Sequence, residues 1–417
     1  MSHAAQLDAR DPLAGFRDRF HLPQHGDAPC IYFCGNSLGL QPRSAAGLVE
    51  EELDTWRRMG IGGHFNGPRP WKDYHQNFDA ALARLAGAHE DEVVCMNGLT
   101  VNLHLLMVSF FRPTPERHKL LIERSAFPSD RYAAVSQLEF HGLDPAESLI
   151  EVGPRPGESL LREEDLAAAI HETGESLALV LLPGVQYLTG QALDIARLSA
   201  EAHAVGALAG WDLAHAFGNL PMALHDWDAD FAAWCSYKYL NGGPGCASGA
   251  FVHARHAADE GLPRFAGWWG HDKAARFRME PDFVPMPGAD GWQISNSPVL
   301  SMAPLLASLQ IFEEAGMDRL RAKSIALTGF LEHLLDERLA AEVEIVSPRD
   351  SALRGCQLSL RLRDGAAAGR EAFARLGAAG VVCDWREPDV IRAAPTPLYN
   401  TYGEVERFAA LLENALK

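Results

Sequence analysis

The stretch SYKYLNGGPG, residues 236–245, puts Lys238 between two tyrosines, at the end of the apolar run from Phe231 to Cys235 and directly before a glycine-rich bend. A lysine desolvated in such surroundings loses its charge readily, the state in which its amine forms a Schiff base. Asp212 ends an earlier apolar run, VGALAGWD, and His215 follows three residues later. An acid at one strand end and a lysine at another, 26 positions apart, can reach one pocket from neighbouring strands. A lysine to hold an aldehyde and a carboxylate to keep a ring nitrogen protonated are what pyridoxal 5'-phosphate needs, because only the pyridinium is a good electron sink.

That cofactor also needs a phosphate cradle and a ring to lie against. In NGLTVNLHLLMVSFF, residues 97–111, a turn runs into an apolar helix, so the N–H groups of Leu99 and Thr100 come at a helix N-terminus, a ready anion site. In SAFPSDRYAA, Phe127 follows the strand KLLIE and is placed to stack on a pyridine face. Taken singly these residues have plainer explanations. A lysine between tyrosines reads as a snorkelling surface residue, His215 as an inert structural histidine and Phe127 as core. Their conjunction carries the chemistry.

The elements that must position these residues follow from the pattern around them. Short apolar runs alternate with helical stretches: HKLLIE then DRYAAVSQLEFHG, ALVLLPGV then DIARLSAEAHAVG, ALAGWD, then DFAAWCSYK. This predicts an α/β fold with a mostly parallel sheet flanked by helices, whose ligand lies beyond the carboxyl ends of the strands. After about Pro298 one long helical stretch, from VLSMAPLLASLQIFEEAG on to LEHLLDERL, leads into a smaller α+β unit. The expected division is a segment 1–45 packing with the small domain, a large cofactor-binding domain 46–300 and a small domain 301–417. GGPGCASG lacks the G-K-[ST] ending of a phosphate loop and is expected to give the backbone room beside the cofactor.

Composition excludes other classes. A chain of 417 residues, 47% of them hydrophobic, is long enough for two linked domains, and a net charge of −18 disfavours nucleic acid or an anionic membrane as partner. Seven cysteines without a repeated spacing make neither a disulfide framework nor a C-x-x-C zinc site, and no metal is expected. A reducing, cytoplasmic location fits, since the start lacks a signal-peptide core and no run approaches eighteen apolar residues.

Six motifs, YFCGNSLGLQP, WDLAHAFGNLP, CSYKYLNGGPG, GWWGH, ISNSP and IRAAPTPLYN, spread from about residue 30 to 400, resemble those of the kynureninases, fold-type-I pyridoxal-phosphate enzymes related to aspartate aminotransferase. The resemblance implies a large domain with a mostly parallel sheet, a smaller α+β domain and a homodimer with shared active sites. It implies that Lys238 holds the cofactor and moves protons with Tyr237, that Asp212 pairs with the ring nitrogen, and that His215 and Asp130 lie close by. Tyr237, Leu99 and Thr100 would hold the phosphate, with Trp268 and Asn296 coming from the other subunit, and Phe127 would stack on the ring. Arg392 would clamp a substrate α-carboxylate as only a guanidinium fork does, with Ser37 beside it.

The implied activity is hydrolysis of the bond between the β and γ carbons of kynurenine, giving alanine and an anthranilate, in tryptophan degradation or NAD precursor synthesis. His64 in GGHF with Ser295 and Asn296 in ISN resembles the pattern associated with the 3-hydroxylated substrate. Two rivals remain: another fold-type-I enzyme, such as a cysteine desulfurase or an aminotransferase, and a catalytically silent cofactor-binding scaffold.

Overall fold

A computed structural model describes residues 2–257, 259 and 261–417. Its centre, among the described residues, is a seven-stranded sheet of β1 (Val93–Cys95), β2 (Lys119–Glu123), β3 (Leu149–Val152), β4 (Leu177–Pro183), β5 (Leu208–Asp212), β6 (Phe231–Trp234) and β7 (Gly249–Val252). The spatial order is β1-β7-β6-β5-β4-β2-β3, and only β7 runs against its neighbours. Residues alternate between two cores: Leu121, Val180, Leu182, Trp211 and Trp234 face one, and Leu120, Ile122, Leu179, Leu181 and Ala233 the other. Both faces are covered, which is why these strands read as continuous apolar runs.

Helices α1 (Leu99–Phe110), α2 (Pro128–Phe140) and α3 (Ile195–Ala204) follow β1, β2 and β4. The first two therefore start at the sheet's carboxyl edge. The long helical stretch expected after Pro298 is two helices, α4 (Val299–Ala315) and α5 (Met317–Leu339), broken at Gly316, whose φ of 77° is left-handed. Met302, Leu305, Leu309 and Phe312 of α4 pack into the main core, whereas Leu331 and Leu334 of α5 belong to a second core. The change of core falls inside α5 rather than at residue 300.

That second core lies under a four-stranded antiparallel sheet. Its strands are β8 (Val343–Ile345), β9 (Leu358–Leu362), β10 (Asp384–Arg386) and β11 (Val390–Ala393), in the order β8-β9-β11-β10. Helices α6 (Ala366–Ala378) and α7 (Tyr402–Ala415) cover it. The N-terminal segment joins both units: Ile31–Tyr32 pairs in parallel with Val381–Val382, and Phe33 enters the second core while Leu13, Phe20 and Leu40 enter the first.

The same segment reaches the lysine loop. The Gly39 N–H donates to the Tyr237 carbonyl at 2.9 Å, and any β carbon on Gly39 would run into the Lys238 carbonyl oxygen and Asn241. GGPGCASG acts differently from expectation. Gly243 and Gly245 take φ of 87° and 74° with open space around them, and Gly243 borders a groove that Lys238 does not line. Their job is a left-handed turn that folds the chain back on itself, with the Gly242 N–H donating to the Ser236 carbonyl at 2.8 Å.

Replacing Gly39 with Ala should therefore cost about 1–3 kcal/mol, as overpacking does. Gly15→Ala, where nothing lies within 4 Å, should change stability by less than about 0.5 kcal/mol. Urea unfolding of the two variants checks this, and equal losses would remove the close approach at Gly39 from the account.

Candidate active site

The residues that end the parallel strands turn toward one another. Pro183 pairs with Asp212, and Asp212 with Ala233, so the acid sits beside the strand that leads to Lys238. Lys238 is 9% exposed, and its Nζ lies 3.0 Å from His215 Nε2. Burial, with the Lys238 charge adding to it, pushes His215 well below its ordinary value, so the ring is neutral and its Nε2 accepts from Nζ. Asp212 is held by the Ala214 N–H, which donates to Oδ1 at 2.7 Å.

Helix ends supply the opposite wall. Gly98 caps α1 without a side chain, leaving the first N–H groups, at Leu99 and Thr100, free to face a ligand. Phe127 caps α2, with Pro128 at the first helical position and Asp130 in the first turn. The Phe127 ring centroid is 5.8 Å from Lys238 Nζ, and its ring meets Tyr187 edge-on at 5.3 Å. Lys238, Tyr237, Asp212, His215, Asp130, Phe127, Leu99 and Thr100 all line one cavity.

Two more carboxyls line this wall beside Asp212: Asp130, expected there, and Glu123, which was not singled out from the sequence. Asp130 is pushed well above the usual carboxylate range by burial and then by Asp212, and Glu123, at the end of β2, is raised by burial to about 7. Tyr237 is also raised, by burial and Cys235, so its phenol keeps its proton. His215 Nδ1, Asp130 Oδ1 and Glu123 Oε2 are buried here without a partner. Unpaired buried donors and acceptors beside a lysine and an aromatic face fit a polar, planar, aldehyde-bearing ring with an anionic arm at α1.

Arg392 is fully buried just behind this cavity. Its Nη1 donates to the Tyr187 carbonyl at 2.6 Å, Nη2 to Ser37 Oγ at 3.1 Å, and Nε to Asp384 Oδ1 at 2.6 Å. Asp384 also takes Nη2 and Ser37 Oγ. Although burial opposes it, the Arg392 guanidinium holds the Asp384 carboxyl below its usual range. The antiparallel register of β10 and β11 sets Asp384 opposite Arg392.

His64, Trp268 and Asn296 come together elsewhere, in a second cavity with Ile61, Phe65 and Phe277. The two cavities have no residue in common. Ser295 is exposed beside Asn296 and does not line the second cavity, and the Trp268 indole N–H is already donated to the Arg276 carbonyl at 2.9 Å. A group within metal-sharing reach, His89, Glu92 and His225, lies at the opposite edge of the sheet. The Glu92 carboxylate there already accepts from the N–H groups of His89 and Ala254 and from His225 Nδ1, a structural clasp joining three segments.

Comparison with known proteins agrees with this geometry. The kynureninase C-terminal domain family matches residues 320–412, and the aminotransferase class-V family matches residues 71–360. The kynureninase of Koribacter versatilis is 55% identical over 97% of this chain and 95% of its own. That of Xanthomonas euvesicatoria pv. vesicatoria is 57% identical over 99% of this chain and 97% of its own. The chain belongs to the kynureninase family.

Solved structures show the same fold. A variant of the lyase C-DES with glycine covalently linked to its PLP cofactor superposes with a TM-score of 0.79 at 18% identity, covering 95% of this chain and 99% of that one. The Escherichia coli cysteine desulfurase CsdA superposes with a TM-score of 0.78 at 16% identity, covering 97% and 98%. As a kynureninase-family chain, the protein is an enzyme with pyridoxal 5'-phosphate as its cofactor, and the cavity's residues fit that group.

The Arg392–Asp384 pair yields a stability prediction. Asp384→Ala leaves a fully buried guanidinium without its counter-charge and should cost about 3–5 kcal/mol in urea unfolding at neutral pH. Because the carboxyl is depressed in the folded state, the stability it contributes is present above the unfolded value and is lost as pH falls through the folded one. The gap between wild type and variant should therefore persist at pH 6 and close only below about pH 4.

Proposed function

We propose that the protein hydrolyses the Cβ–Cγ bond of kynurenines, with 3-hydroxy-L-kynurenine preferred over L-kynurenine, giving L-alanine and 3-hydroxyanthranilate. The observation that carries the reading is the single cavity in which Lys238, Asp212, His215, Asp130, Phe127 and Tyr237 converge, with Arg392 behind it. When bound, pyridoxal phosphate supplies an electron sink for charge developing next to the substrate's α carbon.

The chain's own residues do the rest. Arg392 takes the substrate α-carboxylate, already oriented by Asp384 and Ser37, while Phe127 and Tyr187, edge-on to each other, wall one side. Lys238 moves protons at the α carbon. Water adds to the γ carbonyl carbon, the Cβ–Cγ bond breaks, its electron pair stays on Cβ and is protonated there, and the oxygen leaves with the aryl carboxylate. Tyr237 is suited to donate in these steps because burial keeps its phenol protonated.

A homodimer completes this picture. His64, Trp268 and Asn296 form a cavity apart from Lys238, edged by the exposed Ile61, Phe65 and Phe277. A second copy that brings this cavity against the first would set a polar imidazole and amide beside the substrate's aryl ring. Groups that hydrogen-bond an aryl hydroxyl are left unpaired by the unsubstituted ring, which is the source of the preference. A desulfurase activity is disfavoured by the cysteines: all seven are buried or half-buried, and burial raises even the half-buried Cys34 to about 11.

Steady-state hydrolysis of the two substrates by the cofactor-saturated protein should give the higher kcat/KM for 3-hydroxy-L-kynurenine. His64→Phe should shrink that ratio about tenfold, the value of one hydrogen bond to a polar group. Light scattering should return the mass of two chains. A ratio that His64→Phe leaves untouched would take His64 out of the aryl pocket, and a monomeric active enzyme would end the shared-site reading.

A further inference from the structure

Glu123 ends β2 in the wall of the cavity that holds Lys238, Asp130 and Asp212, yet the chemistry above gives it nothing to do. It is 1% exposed. The groups acting on it are the Gln186 amide, which favours its anion, and the Asp212 carboxylate, which opposes it. Asp130 on α2 and Tyr187 beyond β4 face it as well. None of these is a cation, and Lys238, in the same wall, acts on Asp130 and not on Glu123, so an ionised Glu123 would be a buried charge without a counter-charge.

The hydrogen bonds fix which oxygen carries the proton. Gln186 Oε1 accepts from the N–H groups of Leu188 at 2.7 Å and Thr189 at 2.8 Å, which settles the orientation of the amide. Its Nε2 then donates to Glu123 Oε1 at 3.3 Å and to the Ser125 carbonyl at 3.2 Å. Oε1 is therefore the acceptor. Oε2 is buried with no partner, and it belongs to a side chain in the cavity wall.

We propose, resting on the reading of this cavity as the pyridoxal-phosphate site, that Glu123 is a positioning residue that works as a neutral acid, with its proton on Oε2, in the wall it shares with Asp130 and Asp212. The wall then carries three carboxyls of which Glu123 and Asp130 hold protons, leaving Asp212 to face the ring nitrogen. Burial, which raises Glu123 to about 7, acts in the same direction. Gln186 is the orienter that aims the donor.

The test compares wild type, Glu123→Gln and Glu123→Ala. Infrared spectra taken at about pH 6, below the Glu123 midpoint of about 7, should show a protonated-carboxyl C=O band that Glu123→Gln loses. A carboxyl region unchanged in Glu123→Gln would overturn the proposal. The band needs no bound cofactor, so failure of the cofactor reading would leave it in place, and the two failures are distinguishable.

In the holoenzyme, Glu123→Ala admits water where a donor stood and should shift the pH midpoint of the cofactor's visible absorbance by about one unit. It should lower kcat more than it raises KM. Glu123→Gln, which keeps a neutral donor, should bring the midpoint back toward wild type. A midpoint displaced as far in Glu123→Gln as in Glu123→Ala would rule out the donor role.

Discussion

A buried lysine amine 3.0 Å from a neutral histidine is the constraint on which the rest of this structure depends. Nothing in an apolar strand favours such a group, so the surrounding chain has to be arranged around it. The sheet does this by ending its parallel strands at one edge, where Asp212, Pro183 and Glu123 terminate β5, β4 and β2. Two helices start at the same edge and offer the ends that favour negative charge. The N-terminal segment then locks the lysine loop through Gly39, and the small domain brings Arg392 up behind it.

The balance of charge at that edge is unusual. Three carboxyls, Glu123, Asp130 and Asp212, line a wall that contains a single lysine and a histidine made neutral by burial. In water such a cluster would be of little consequence, but in a buried wall the unpaired charges are costly. Protons on two of the acids are the inexpensive answer. The Arg392–Asp384 pair resolves the complementary problem behind the cavity, where a fully buried guanidinium is given a counter-charge.

The parts of this arrangement that were legible in the sequence are those that lie in order along the chain. Apolar runs ending in Asp212 and shortly before Lys238, a turn before Leu99 and Phe127 before a proline each announce a strand end or a helix start locally, and the structure has them there. What was not legible depends on pairing across the chain. Asp384 matters because a two-strand register sets it opposite Arg392, which no spacing reveals. Glu123 reads as an ordinary charged residue closing a strand until the fold buries it. The break at Gly316 was masked because helical periodicity on both sides of it is uninterrupted, and the glycine's left-handed φ divides one apparent helix between two cores.

The central claim is that Lys238 is the residue that carries the cofactor. Borohydride reduction of the holoenzyme, which fixes a lysine-bound pyridoxal group, followed by peptide mapping, tests it most directly. The account predicts the added mass on the peptide containing SYKYLNGGPG and at Lys238 within it. Label on another lysine, such as Lys72 beside the second cavity, would contradict it.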